Sequence, residues 1–137
     1  MFWDDAAKEL AGFAESCGVP VGMNGAGRGA LAWDHPSAFA QARGWALANA
    51  DVVLVLGTPL DFRLGYGRPP TFAEDAQVAM VDCDPAELGR NRSLEVGITG
   101  HIGRVLDQLQ DVLPAALPAR WEEWRRRLAG KEREARE

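Results

Sequence analysis

Two short runs of uninterrupted apolar residues most constrain the fold of this chain. Residues 52–56 read Val-Val-Leu-Val-Leu, and residues 78–81 read Val-Ala-Met-Val. Neither run alternates apolar with polar residues, a pattern typical of strands in a parallel sheet that helices cover on both faces. The sequence therefore predicts an α/β fold built around a parallel sheet.

The first part of the chain predicts one helix and one further strand. Apolar residues recur at helical spacing over residues 4–17, where Asp4 or Asp5 can serve as the N-cap. Gly18 follows directly and can adopt the left-handed conformation that ends a helix. A short apolar run over residues 19–23 predicts a strand.

Two more helices are predicted next to the apolar strands. The second helix is expected over residues 37–49, with Ser37 as its N-cap. A last strand over residues 95–98 precedes the third helix, for which Thr99 can serve as the N-cap. The apolar positions of the third helix follow the helical template at every step: Ile102, Val105, Leu106, Leu109, Val112 and Leu113.

The end of the chain is rich in charge. Pro114 and Pro118 are expected to end the third helix and form a linker, after which Trp121 begins another helix. Residues 119–137 contain seven Lys or Arg and five Asp or Glu, which favours a solvated helix of mixed charge over a functional basic patch. We expect its charged end to be partly disordered, and we divide the chain into a domain over residues 1–115 and a linker with a charged helical tail over residues 116–137.

Composition excludes several classes of protein. The formal net charge of -5 disfavours nucleic acid as a partner, because phosphate binding needs a clustered basic surface. The two cysteines show no Cys-x-x-Cys or Cys/His spacing, so we expect neither a disulfide framework nor a metal site. No apolar run approaches the ~20 residues of a membrane span, and no signal-peptide pattern opens the chain. We therefore expect no membrane partner and a cytoplasmic location.

Polar residues follow the predicted strands at the edge where open α/β sheets bind ligands. These residues are Gly57, Thr58, Asp61, Arg63, Asp82 and Asp84. Asp82 can accept hydrogen bonds from both hydroxyls of a ribose, and Arg63 can pair with a diphosphate or stack on an adenine. Two alternatives stay open: Arg63 only bridges domains or pairs with Asp61, and Asp84 only caps the turn that follows it, which we favour for Asp84.

A second glycine-rich segment gives a weaker signal. Residues 25–30, Gly-Ala-Gly-Arg-Gly-Ala, match the dinucleotide fingerprint G-x-G-x-x-A. That motif requires a helix to begin inside it, and here Trp-Asp-His-Pro follows instead, so a flexible turn is favoured over a phosphate cradle. His35 and His101 are interpreted as turn or cap residues rather than general bases.

Three segments together resemble the central domain of thiamine-diphosphate-dependent enzymes. They are residues 48–67, with Asp-Val-Val-Leu-Val-Leu-Gly-Thr-Pro-Leu-Asp-Phe-Arg, the Gly27-Arg28-Gly29 turn followed by His35-Pro36, and residues 81–91, Val-Asp-Cys-Asp-Pro-Ala-Glu-Leu-Gly-Arg-Asn. The resemblance covers about residues 4–115 and is closest to the acetolactate-synthase-like group. It implies a Rossmann-like parallel sheet that lies between a pyrimidine-binding and a diphosphate-binding domain. In that family this domain holds FAD, ADP or no nucleotide.

The resemblance also implies site residues and missing parts. Gly57 and the Asp61–Arg63 segment would lie near the diphosphate or flavin side of a nucleotide, and Asp82 near its adenosine. The family domain begins with a strand, whereas Met1-Phe2-Trp3 enters just after it, so we expect the sheet to lack its first strand. The residues that hold thiamine diphosphate and magnesium in the family are not found in this sequence.

We therefore interpret the chain as a fragment of a thiamine-diphosphate-dependent enzyme that is not catalytic alone. An acetolactate-synthase-like parent would decarboxylate a 2-oxo acid and carboligate the product. Its partners would be the missing pyrimidine-binding and diphosphate-binding domains, and we expect a homo-oligomer and marginal solubility of the isolated chain. The alternatives are a free-standing FAD- or ADP-binding module, an interaction subunit of a split enzyme, and a parent like oxalyl-CoA decarboxylase or 2-hydroxyacyl-CoA lyase.

Overall fold

The structure, a computed structural model, describes residues 4–115 and 117–137. The helices are α1 (Ala7–Cys17), α2 (Arg43–Asn49), α3 (Ile102–Val112), α4 (Leu117–Arg120) and α5 (Glu122–Glu134), and the strands are β1 (Val52–Leu56), β2 (Gln77–Asp82) and β3 (Val96–Thr99). The described residues form two compact units. The helical unit is drawn from Met1–Arg43 and Gly103–Glu137, and the sheet unit is Gly44–Ile102.

The sheet unit contains a parallel sheet in the order β1-β2-β3. Val52 of β1 pairs with Gln77 of β2, and Ala79 of β2 pairs with Val96 of β3. The connection from β1 to β2 packs apolar side chains against the sheet, and the resulting core cluster contains Val53, Val55, Leu60, Leu64, Phe72, Val78 and Met80. The predicted α/β fold with a parallel sheet is therefore confirmed.

The strand predicted over residues 19–23 is largely wrong. In its place the structure has a single parallel bridge between Val21 and Ala38. The Val21 N–H donates to the Ser37 carbonyl at 2.7 Å, and the Phe39 N–H donates to the Val21 carbonyl at 3.0 Å. Pro20 has no N–H to extend this pairing, because its ring occupies the nitrogen. Of the four predicted strands, three lie in the sheet.

The same bridge explains why Ser37 is not a helix N-cap. The backbone of Ser37 is engaged on both sides, since its carbonyl accepts from Val21 and its N–H donates to Nδ1 of His35 at 3.1 Å. Ser37 lies in a turn that the hydrogen bond from the Ala38 N–H to the His35 carbonyl closes at 2.9 Å, and α2 begins only at Arg43. The predicted start of the second helix at residue 37 is therefore wrong, although its end at Asn49 is confirmed.

The start of the first helix also differs from the prediction. Helix α1 begins at Ala7, and its N-cap position, Ala6, makes no side-chain capping hydrogen bond. The N-cap position belongs to Ala6 rather than to Asp4 or Asp5, and Asp5 has a left-handed φ of 47°, whereas an N-cap residue needs the extended backbone. Gly18 ends α1 with a φ of 66°, as predicted. The predicted entry of the chain at residues 1–3 lies outside the described residues.

Helix α3 has most of the predicted apolar face. Ile102, Val105 and Leu106 are buried, but Val112 is 75% exposed. At 100° per residue, Val112 lies at the margin of the apolar stripe, in the last turn of the helix, so its predicted burial is wrong. Thr99 is the last residue of β3 rather than the N-cap of α3. No described helix is long and apolar enough to cross a bilayer.

The charged tail is more ordered and less solvated than predicted. Helix α5 continues to Glu134, and both Leu128 and Glu132 are buried. Oε2 of Glu132 accepts the N–H groups of Gln41 at 2.9 Å and Ala42 at 2.8 Å, directly before α2 begins. A carboxylate at this position satisfies two backbone N–H groups with one oxygen. The domain boundary after residue 115 stays a prediction.

The pKa of Glu132 reflects this environment. Burial alone would raise the pKa of the carboxyl, but the hydrogen bonds from Ala42, Arg136 and Gln41 outweigh burial and lower it below its ordinary value of 4.5. A carboxyl with a lowered pKa in the folded state contributes stability above the unfolded pKa. That stability is lost as the pH falls through the folded pKa.

Replacing Glu132 with glutamine is expected to lower the free energy of unfolding by about 1 kcal/mol at neutral pH, because a charged acceptor is lost. Below pH 4.5 the difference from the wild type should shrink, since the wild-type carboxyl is then also being protonated. Urea unfolding at a series of pH values measures both effects. The matched control is Glu134→Gln, which loses only an exposed ion pair with Lys131. Equal effects of the two substitutions at every pH would contradict this role of Glu132.

Candidate site at the carboxyl edge of the sheet

The carboxyl ends of the three strands lie side by side. The Gly57 N–H, just after β1, donates to the Val81 carbonyl of β2 at 2.8 Å. The Gly100 N–H, just after β3, donates to the Asp82 carbonyl at 3.0 Å. Thr58 is half-buried, and its hydroxyl donates to the Leu56 carbonyl at 3.4 Å. The structure therefore brings Gly57 and Asp82 to one edge, where ligands bind in open α/β sheets.

Asp82 is the buried carboxylate at this edge. The residue is 8% exposed and is the last residue of β2. Its Oδ1 accepts the N–H of Asp84 at 2.9 Å, which fixes the side chain against the turn that follows the strand. Within the described part of the chain, Oδ2 has no hydrogen-bond partner. Asp82 thus has a fixed orientation and one free acceptor oxygen.

Asp84 has the capping role that we favoured. Its Oδ1 accepts the N–H of Ala86 at 2.9 Å, and Pro85 occupies the first position of the short 3-10 helix Pro85–Glu87. Proline suits this position because its missing N–H would have had no partner inside the helix. Asp84 therefore caps the turn.

Asp61 and Arg63 form an ion pair with each other. The Arg63 side chain donates to the Asp61 carboxylate through Nε and Nη2, and the shortest contact is 2.6 Å. The hydrogen bond from the Arg63 side chain lowers the pKa of Asp61, and Asp61 in turn raises the pKa of Arg63. The guanidinium carbon also lies 5.8 Å from the centre of the Phe62 ring. The alternative in which Arg63 pairs with Asp61 is thus the observed arrangement, and a bound diphosphate would compete with Asp61 for this cation.

A tight turn holds this ion pair. The Asp61 carbonyl accepts the N–H of Leu64 at 3.0 Å and the N–H of Tyr66 at 2.8 Å. Gly65, Tyr66 and Gly67 all have a left-handed φ, of 55°, 55° and 69°. Tyr66 is 48% exposed and Phe62 is 73% exposed, so the turn presents two aromatic rings to solvent. We call residues 61–67 the crossover turn, because they lie in the connection between β1 and β2.

The predicted site residues therefore form two separate groups. Gly57, Thr58 and Asp82 lie at the carboxyl edge, whereas Asp61 and Arg63 are paired with each other in the crossover turn. No hydrogen bond or ion pair joins the two groups in residues 4–115 and 117–137.

Two residues that are absent from the predicted site contact the crossover turn. Asn91 and Arg92 donate to backbone carbonyls at the start and at the end of this turn. Their separation from the turn along the chain leaves no local signal by which they could have been found.

The glycine-rich segment after α1 belongs to the helical unit. Gly25–Gly27 forms one 3-10 turn, and no α-helix begins inside residues 25–30. Nδ1 of His35 accepts the Ser37 N–H at 3.1 Å, so His35 stabilises a turn as predicted. The described residues contain no group of three or more His, Cys, Asp or Glu side chains that could hold a metal ion.

Comparison with known proteins places this geometry in a family. Residues 2–109 match the family model described as thiamine pyrophosphate enzyme, central domain. The chain is 36% identical over 109 residues to the acetolactate synthase large subunit of Mycobacterium tuberculosis. It is 39% identical over 88 residues to 2-hydroxyacyl-CoA lyase 1 of Dictyostelium discoideum and 36% identical over 100 residues to oxalyl-CoA decarboxylase of Escherichia coli.

These matches cover most of this chain but little of the relatives. They include 80%, 64% and 73% of the chain, and 20%, 15% and 18% of the three relatives. The chain therefore spans about a fifth of the length of the curated proteins it matches.

A solved structure, described as a thiamin diphosphate-dependent enzyme from Mycobacterium smegmatis, has the same fold with a TM-score of 0.65. It is 20% identical in sequence, and the match covers 82% of this chain and 23% of that one. The Rossmann-like fold expected from the resemblance is thus confirmed. Because the family model matches most of its length, this chain belongs to the family of central domains of thiamine pyrophosphate enzymes.

Proposed function

We propose that this chain binds an adenine nucleotide, FAD or ADP, as the central domain of a thiamine-diphosphate-dependent enzyme. The observation that supports this most strongly is Asp82. Asp82 is largely buried at a strand end, its Oδ1 is held by the Asp84 N–H, and no described residue engages its Oδ2, so this oxygen is available to a ligand. A ribose with two adjacent hydroxyl groups can donate to such an oxygen.

The proposed position of the nucleotide follows from the carboxyl edge. The adenosine lies against Asp82, and the diphosphate or flavin side lies towards Gly57, Thr58 and the Asp61–Arg63 pair. Gly57 has no side chain, so it permits close approach of a phosphate to the backbone. Arg63 contributes by exchanging part of its contact with Asp61 for a phosphate oxygen.

The reaction belongs to the proposed parent enzyme. An acetolactate-synthase-like parent decarboxylates a 2-oxo acid and carboligates the product, and thiamine diphosphate and magnesium are held by its other two domains. A parent like oxalyl-CoA decarboxylase or 2-hydroxyacyl-CoA lyase is the second candidate, because relatives with those names are 36% and 39% identical to this chain. We assign no catalytic residue to this chain and propose a cytoplasmic location.

Equilibrium titration calorimetry with ADP and with FAD tests the nucleotide proposal. We expect either ligand to bind with a dissociation constant below about 1 mM. The ligand with the lower dissociation constant is the nucleotide that the domain prefers. If neither ligand binds in this range, the nucleotide proposal is wrong. A neighbouring reading frame with a Gly-Asp-Gly…Asn segment would instead support an interaction subunit of a split enzyme.

We also propose that the chain self-associates through β1. The Gly57 N–H and the Asp51 carbonyl both bond to β2, so the backbone groups of Val52, Leu54 and Leu56 point away from β2. Among the described residues, no strand pairs with this edge. An apolar strand with an unpaired edge is a template for association with another chain.

Self-association should therefore depend on concentration and on Val52, which is 58% exposed. Replacing Val52 with lysine places a charge on the edge and is expected to shift sedimentation towards the monomer. Val112→Lys is the matched control, since Val112 is 75% exposed on α3 and lies on no strand. A wild-type chain that stays monomeric at all concentrations, or an equal effect of the two substitutions, would contradict association through β1.

A further inference from the structure

We infer that Asn91 and Arg92 are positioning residues that hold the two ends of the crossover turn. The inference deepens the proposed function and rests on it only where it concerns the nucleotide. Asn91 and Arg92 lie in the connection between β2 and β3, whereas the turn lies in the connection between β1 and β2. One dipeptide thus fixes a segment from a different part of the sheet unit.

Each member of the dipeptide holds one end of the turn. Nδ2 of Asn91 donates to the Leu60 carbonyl at 2.9 Å, immediately before the turn. Nη1 of Arg92 donates to the Gly67 carbonyl at 2.5 Å, at the last residue of the turn. The two hydrogen bonds therefore fix the start and the end of a seven-residue segment through adjacent side chains.

Arg92 also connects the turn to the sheet. Its Nη2 donates to the Ala76 carbonyl at 2.5 Å, and Ala76 directly precedes β2. Nη1 also lies 3.4 Å from the Ala73 carbonyl. The guanidinium carbon is 5.8 Å from the ring centre of Phe72, which is 1% exposed. Arginine suits this role because its planar fork offers several donors in fixed directions.

The crossover turn needs such external support. Its three consecutive left-handed residues include Tyr66, and a bulky residue with φ of 55° is strained. Strain of this kind persists only when the surrounding structure over-determines the backbone. The hydrogen bonds from Asn91 and Arg92 provide that constraint from outside the turn. They thereby set the position of Asp61 and Arg63.

Amide hydrogen exchange tests the inference without any ligand. The variant is Arg92→Met, and the matched control is Arg90→Met, because Arg90 is exposed and donates to Glu87. Protection of the Leu64 and Tyr66 amides, both bonded to the Asp61 carbonyl, should fall about tenfold more than protection of the β2 amides. Arg90→Met should leave the ratio of these protections unchanged.

A residue that only stabilises the fold would change all amides alike. Equal loss of protection in the turn and in β2 would therefore overturn the inference. If Arg92→Met does not fold, Arg92→Lys and Asn91→Leu test the same two ends separately. Each should lower protection in the turn selectively, and an absence of selective loss in both would also overturn the inference.

Nucleotide binding gives the second measurement. If the wild type binds ADP, Arg92→Met should weaken that binding about fivefold or more, while Arg90→Met should change it less than about twofold. Unchanged ADP binding in Arg92→Met would refute the role in the site but leave the proposed function intact. If the wild type binds no nucleotide, the proposed function fails, and the exchange measurement still decides whether Asn91 and Arg92 hold the turn.

Discussion

Replacing Asp82 with alanine is expected to weaken ADP binding by about tenfold to hundredfold. A hydrogen bond to a charged group contributes about 1.5–3 kcal/mol, and each 1.4 kcal/mol corresponds to a factor of about ten. The effect should be large because Asp82 is buried and its side chain is already oriented by the Asp84 N–H. The acceptor oxygen therefore needs little reorganisation when a ribose arrives. Titration calorimetry at one salt concentration measures the change.

Asp84 provides the matched control for this experiment. Its carboxylate lies two residues further along and caps its own turn through the Ala86 N–H. Asp84→Ala should lower stability by about 1 kcal/mol but change ADP affinity by less than about twofold. If Asp84→Ala weakens ADP binding as much as Asp82→Ala does, the assignment of the ribose to Asp82 is wrong.

Replacing Gly65 with alanine is expected to lower the free energy of unfolding of the sheet unit by about 2–4 kcal/mol. Two effects add at this position. Its φ is +55°, where residues with a side chain are strained, and a Cβ would lie 2.8 Å from the Cβ of Thr71. The Cβ of Thr71 is bonded directly to the backbone, so it cannot move aside unless the backbone of Thr71 also shifts. Chemical denaturation followed by circular dichroism measures the loss.

Gly89→Ala separates the two effects. Gly89 lies in the same unit and has a φ of +73°, but the nearest atom to a new Cβ would be 3.9 Å away. Gly89→Ala should lower the free energy of unfolding only through backbone strain, by about 1 kcal/mol. Equal losses for Gly65→Ala and Gly89→Ala would show that the packing against Thr71 is not tight.

The sequence predicts the features of this fold that depend on nearby residues. The apolar runs over residues 52–56 and 78–81 identify a parallel sheet, because strands of such sheets are typically continuous apolar runs. Gly18 and Asp84 are predicted well for the same reason, since a helix end or a turn cap depends on the few residues around it. The carboxyl edge follows from the strands and was predictable with them.

The features that depend on distant residues were not predictable. Ser37 has the sequence of a helix N-cap, but its carbonyl accepts the N–H of Val21 and the residue lies in a turn closed between His35 and Ala38. Glu132 looks like one more charge on a solvated helix, yet it accepts the N–H groups of Gln41 and Ala42 from the far end of the chain. Asn91 and Arg92 hold the crossover turn across shorter gaps in sequence, of 31 and 25 residues. Propensity and periodicity contain no information on such contacts.

The site illustrates the same limit. From the sequence, Arg63 could pair with a diphosphate, stack on an adenine or pair with Asp61. In the structure Arg63 forms an ion pair with Asp61. Because the two residues are only two positions apart, this ion pair is local. What the sequence does not contain is the left-handed backbone of Gly65, Tyr66 and Gly67, which closes the turn around the pair.

The most direct test of nucleotide binding at the carboxyl edge is a map of backbone amide chemical shifts during titration with ADP. We predict that the largest changes occur at Gly57, Asp82 and Gly100, the residues at or just after the three strand ends. Changes confined to the opposite edge of the sheet, near Gln77 and Glu95, or no change at saturating ADP, would contradict nucleotide binding at this edge.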